Sequence, residues 1–103
     1  MSIQSNYLTT TASSVYTSTG NTAAMTFYVS NYSTSANASF SIWAVQSGGS
    51  PSNVNVLYSN VTVQAGDTYL ASTERLFLDN GDAIYARSTA NSVMSITLTH
   101  TTV

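Results

Sequence analysis

From Met25 to His100 the apolar side chains recur at every second residue, in short runs broken by Gly, Asn, Ser or Pro. A period of two places successive side chains on opposite sides of an extended strand, whereas a helix needs spacings of three and four. Met25, Phe27 and Val29 alternate with Thr26, Tyr28 and Ser30. Ile84 and Ala86 alternate with Tyr85 and Arg87, and Met94, Ile96, Leu98 and His100 with Ser95, Thr97 and Thr99. Between Ala38 and Gln46 both faces are partly apolar: Phe40, Ile42 and Ala44 share one, Trp43 and Val45 the other. That pattern predicts a central strand or one covered by a partner.

Turn chemistry divides the runs. Gly20-Asn21, the loop 31–37, SGGSPSN at 47–53, Ala65-Gly66-Asp67, Asn80-Gly81 and Ala90-Asn91-Ser92 all punctuate the pattern. Asn80-Gly81, between two apolar runs, is the clearest hairpin signal. A break at Ser59-Asn60 between Val54-Val56-Tyr58 and Val61-Val63 predicts a bulge or a strand switch. About seven to eight short strands at this spacing predict an all-β, antiparallel β-sandwich, Ig-like or jelly-roll-like. Residues 12–103 are expected to form this single domain. Residues 1–11, polar except for anchors at Ile3, Tyr7 and Leu8, read as an N-terminal arm or irregular first strand docked on the domain or on a neighbour.

The polar surface must be built from hydroxyls and amides. The 103-residue chain has 18 Ser, 16 Thr and 9 Asn, and only 6% charged residues against roughly 25% in an ordinary soluble domain. All six charged side chains, Asp67, Glu74, Arg75, Asp79, Asp82 and Arg87, lie within residues 65–87. With no Lys and a net charge of −2, the chain has no basic patch for phosphate and no attraction to anionic lipid. Neither nucleic acid nor membrane is expected as a partner. MSIQSNYLTT lacks the features of a signal peptide, so synthesis in a cytosol without export by the usual route is expected. So weakly charged a surface favours association, so much of it is expected to be covered by other proteins.

Catalytic chemistry finds little support. The single His, His100, has no carboxylate in its own segment, and one His among many Ser is what composition alone produces. Asp67 and Asp82 follow Gly in turns, where a short acceptor usually caps backbone N–H groups. Asp79-Asn80-Gly81-Asp82 clusters oxygen ligands but lacks the number that calcium needs. No cofactor, metal or enzymatic activity is expected. Glu74 reads as a cross-sheet partner of Arg87 or of another chain, with Arg75 beside it. The aromatic residues, Trp43 among them, read as core or protein interface first and as a sugar-stacking platform second. Candidate interface residues are therefore Ile3, Tyr7, Leu8, Trp43, Glu74, Arg75, Phe77 and Arg87. The triplets Asn31-Tyr32-Ser33, Asn37-Ala38-Ser39 and Asn60-Val61-Thr62 match the glycosylation pattern but have no secretory context.

SGGS at 47–50, AGDTY at 65–69 and ERLFLDNGDAIYARSTAN at 74–91, followed by an alternating last strand, resemble small all-β virion proteins of tailed bacteriophages, including cyanophages. The likeness spans about residues 21–100 and carries no catalytic residues with it. It implies a structural virion protein assembled in the host cytoplasm, most simply a capsid decoration or cement protein bound to the major capsid protein or other virion proteins. A homo-oligomer such as a trimer is part of that expectation. The alternative it allows is a neck, tail or fibre accessory protein with a carbohydrate-binding or host-adhesion role.

Overall fold

The alternating runs become strands. The structure, a computed structural model, describes residues 2–102, the side chains of Ser2, Met25 and residues 72–75 excepted. Among the described residues there are eight strands: β1 Ser2–Tyr7, β2 Ser13–Thr17, β3 Thr22–Asn31, β4 Ala38–Val45, β5 Val56–Val63, β6 Thr68–Leu78, β7 Ala83–Ser88 and β8 Met94–Thr102. They form two antiparallel four-stranded sheets, ordered β1-β8-β3-β6 (sheet A) and β2-β7-β4-β5 (sheet B).

The pairing is nested. β1 lies beside β8, β2 beside β7, β3 beside β6 and β4 beside β5, as in a long two-stranded ribbon folded over itself. This is jelly-roll topology, so of the two sandwich types expected the jelly roll is the one adopted. Only β4 and β5 are consecutive strands paired within one sheet; every other connection passes between sheets.

This topology corrects one expectation and decides between two alternatives left open by another. Asn80-Gly81 does not close a hairpin, because β6 pairs with β3 in sheet A while β7 pairs with β2 and β4 in sheet B. The physical reason is the turn type. The Asp82 N–H donates to the Asp79 carbonyl at 3.0 Å, and only Gly81, at φ 90°, has left-handed backbone. That is the type II pattern; the hairpin turns matched to strand twist need positive φ one residue earlier. For residues 1–11, read as an arm or as a first strand docked on the domain or on a neighbour, the described part is a first strand docked on the domain. Ser2 to Tyr7 pairs in continuous register with His100 to Ser95 as the edge strand of sheet A, and Leu8, 1% exposed, belongs to the core.

The core lies between the sheets. Phe27, Val29, Ala71, Met94, Ile96 and Leu98 from sheet A meet Phe40, Ile42, Val63, Ile84 and Ala86 from sheet B. Phe40, Tyr58 and Tyr69 form an aromatic cluster toward the β5–β6 side, with centroids 5.4–6.2 Å apart. The expected irregularity at Asn60 is a bulge. The β4–β5 register shifts opposite Ser59-Asn60, Asn60 sits at φ 50°, and its N–H donates to Ser41 Oγ at 3.0 Å.

Candidate interaction surface

The outward residues of sheet A fall into rows set by strand register. One row runs Ser5, Thr97, Tyr28, Leu70 across β1, β8, β3 and β6. The next toward the 31–37 loop runs Tyr7, Ser95, Ser30, Thr68, and Ile3 lies beside Thr99 and Thr26 on the other side. Beyond a register shift between Ala24 and Thr26 in β3, Phe77 stands beside Ala23, and Ala23 beside Thr101. Hydroxyls pair across the strands, Ser5 with Thr97 and Ser30 with Thr68 at 3.0 Å each. Through this carpet project Ile3 (71% exposed), Phe77 (66%), Leu70 (54%) and Tyr28 (43%). β1, β3 and β8 contain no Asp, Glu, Lys or Arg. β6 carries Glu74 and Arg75, whose side chains lie outside the described residues. Isolated exposed apolar residues need no explanation, but several on one sheet face make a candidate interaction surface.

The outer face of sheet B is different. Trp43 stands between Tyr85 on β7 and Val56 on β5, and Arg87 lies opposite Ser41. Trp43, Tyr85 and Arg87 are half-buried, so they cover their own sheet more than they project.

The candidate interface residues are thus dispersed. Ile3, Tyr7 and Phe77 share the outer side of sheet A, while Trp43 and Arg87 lie on the opposite side of the molecule. Leu8 was expected at the interface, but its burial in the core leaves no surface to offer a partner. The side chains of Glu74 and Arg75, and with them the pairing expected between Glu74 and Arg87, lie outside the described residues. Leu70 was missed as a surface residue, and Tyr28, read on the outward face of its strand, was not among the candidate interface residues. The signal for Leu70 was parity: it lies between the inward-facing Tyr69 and Ala71.

Loop chemistry ties each end of the sandwich across both sheets. At one end Asn31, 2% exposed, donates from Nδ2 to the carbonyls of Ala36 (2.8 Å) and Val63 (2.9 Å) and accepts at Oδ1 from the Ser33 N–H (3.0 Å). Its backbone exchanges bonds with Asp67 and Gly66. The first glycosylation triplet therefore uses its amide internally. At the other end the Asp82 carboxylate accepts from the Ser47 N–H (3.0 Å) and the Asp79 N–H (2.9 Å), the turn-capping role expected of it. Asp67 joins the first end through its backbone.

His100 packs its ring on Tyr16, centroids 4.3 Å apart, in a depression lined by Thr17, Thr19, Thr22, Thr101 and Thr102. Among the described residues those neighbours are hydroxyls, with no carboxylate to orient the imidazole. Among the described residues no three His, Cys, Asp or Glu side chains group as metal ligands. Nor, among the described residues, is any helix long and apolar enough to cross a membrane. Comparison with protein families, curated proteins and solved structures returns no match.

Proposed function

We propose that the protein is a structural virion protein, a capsid decoration or cement protein that binds the assembled phage head. The observation that carries the docking role is the outer face of sheet A, where Ile3, Tyr28, Leu70 and Phe77 project from a hydroxyl surface on strands almost free of charge. Such a face brings no Asp, Glu, Lys or Arg from β1, β3 or β8 to a contact, so on those strands no such ion has to be stripped of water. Its hydroxyls can pair with backbone groups of a protein partner as readily as with each other. The virion context itself rests on the sequence resemblance; that jelly rolls also build viral coats is a fold-level analogy and adds little alone.

Immunogold labelling of purified particles of the virus that encodes the chain tests the reading. Label distributed uniformly over the head is expected, retained at high salt because apolar and hydroxyl groups carry the contact. Leu70→Asp with Phe77→Asp should lower occupancy while leaving the melting temperature near that of wild type. Label confined to the tail, or absent from particles, would overturn the proposal.

A further inference from the structure

The two most exposed aromatic rings near one end of the sandwich face the same hollow. Tyr7, at the end of β1, and Tyr32, in the loop after β3, lie edge to face with centroids 6.0 Å apart and planes at 66°. They are 76% and 47% exposed, so neither ring is used by the core. Beside the pair opens a depression of about 540 Å³ lined by Tyr7, Leu8, Thr9, Tyr32, Asn91 and Ser92. We propose that this depression is a binding subsite for a neutral glycan.

Each part of the site suits that ligand. The axial C–H groups of a pyranose make one of its faces apolar, and a tyrosine ring held out in solvent gives that face a surface on which to shed water. A second ring set at a steep angle walls one side, so the sugar is located as well as stacked. Asn91 supplies directional polarity. Its Oδ1 accepts the Thr10 N–H at 3.0 Å, which fixes the amide and leaves the Nδ2 donors for sugar hydroxyls. Thr9 adds a hydroxyl. No lining residue is charged, which selects against uronic and sialic acids.

The site is also pre-organised. The Leu8 N–H donates to the Met94 carbonyl and the Tyr32 N–H to the Val93 carbonyl, both at 2.9 Å, so the backbone under each ring is anchored to the last interstrand loop. Ser92 is held at φ 58°, a left-handed conformation that costs a non-glycine residue about 1 kcal/mol or more and persists only where its surroundings impose it. A volume within the usual range of small-ligand sites holds one or two sugar units. The inference is independent of the proposed virion role, because it uses the rim and loops at one end of sheet A and leaves the docking residues Ile3, Leu70 and Phe77 free.

The test is amide-resolved NMR titration of the whole chain with neutral mono- and disaccharides of the glucose, galactose, mannose and N-acetylglucosamine series. Saturating shifts confined to residues 7–9, 32 and 91–92 are expected for at least one sugar. Tyr32→Ala should weaken that sugar roughly tenfold, while Tyr32→Phe, which keeps the ring, stays within about twofold of wild type. Both substitutions are at an exposed position, and unchanged thermal melting would show that the fold survives. Absence of shifts with every neutral sugar, shifts that map to the Trp43 face instead, or equal affinity for wild type and Tyr32→Ala would each overturn the proposal.

Discussion

The two ends of the sandwich meet the same requirement with opposite chemistry. Jelly-roll topology sends nearly every connection from one sheet to the other, so each end gathers loops distant in sequence whose backbone groups need partners. At one end a buried neutral amide, Asn31, both donates and accepts. At the other a half-buried carboxylate, Asp82, only accepts. The groups presented to each side chain explain the choice. Asn31 faces two carbonyls and one N–H, which only an amide satisfies, whereas Asp82 faces two N–H groups.

An isosteric exchange breaks this comparison most severely at Asn31. Asn31→Asp would replace the Nδ2 donors by an oxygen set against the Ala36 and Val63 carbonyls, in a site 2% exposed. About 3 kcal/mol of destabilisation is expected, a fall of roughly 15 °C in melting temperature for a domain of this size. The new carboxyl would hold its proton more tightly in the folded state than unfolded. Stability should therefore be lost as pH rises toward neutrality and partly regained on acidification, which thermal melts from pH 4 to 8 would follow. A variant as stable as wild type at neutral pH would show that the Asn31 amide does not hold this end together.

At the Asp82 end the larger effect belongs to the turn. Gly81→Ala would place a Cβ 2.7 Å from Ser47 Oγ on a backbone at φ 90°. Gly20, at φ 71°, has no atom near the corresponding position, so Gly20→Ala carries the backbone cost alone. About 2 kcal/mol is expected for Gly81→Ala and about 1 for Gly20→Ala. Denaturant titration of both variants separates the contact from the conformation, and equal losses would show that Ser47 yields freely. Asp82→Asn comes next, at about 1 kcal/mol. It keeps one acceptor for either Ser47 or Asp79, and the N–H left over can reach water at this half-buried site.

What the sequence showed and what it concealed divide along the same physical line. Alternation is local, so the strands, the inward Leu76 and Leu78, the outward Phe77 and the Asn60 bulge could all be read from neighbouring residues. Pairing is not local. Asn80-Gly81 carries the residues of a hairpin turn, yet whether the chain returns along its own strand or crosses to the other sheet depends on φ at Asn80 and on what β3 and β4 offer. Leu8 resembled an isolated anchor on a polar arm; its burial follows from β1 pairing with β8, the opposite end of the chain. For the same reason Ile3, Tyr7 and Phe77 were recognisable as isolated apolar residues, while the hollow that joins Tyr7 and Tyr32 to Asn91 was not. It exists only because three loops meet above one sheet edge.

The smallest effect belongs to the aromatic cluster on the β5–β6 side, where Tyr69 follows closely on the 64–67 loop of the Asn31 end. Burial raises the Tyr58 phenol above its ordinary value, and the neighbouring Tyr69 raises it further once that phenol carries charge. Its folded-state pKa therefore exceeds the unfolded value of about 10. A folded state that holds the proton more tightly gains stability in full below that pH and loses it as pH climbs from about 10 through the raised value. Tyr58→Phe removes this titration and keeps the ring packed between Phe40 and Tyr69, 6.2 and 6.0 Å from their centroids. Its melting temperature should follow that of wild type near neutrality and fall less steeply above about pH 10, a difference smaller than that of any substitution at the two ends. Parallel alkaline profiles would mean that the Tyr58 hydroxyl is as well hydrated in the fold as in the open chain. The cluster would then belong with the water-accessible Asp82 end of the comparison instead of with the sealed Asn31 end.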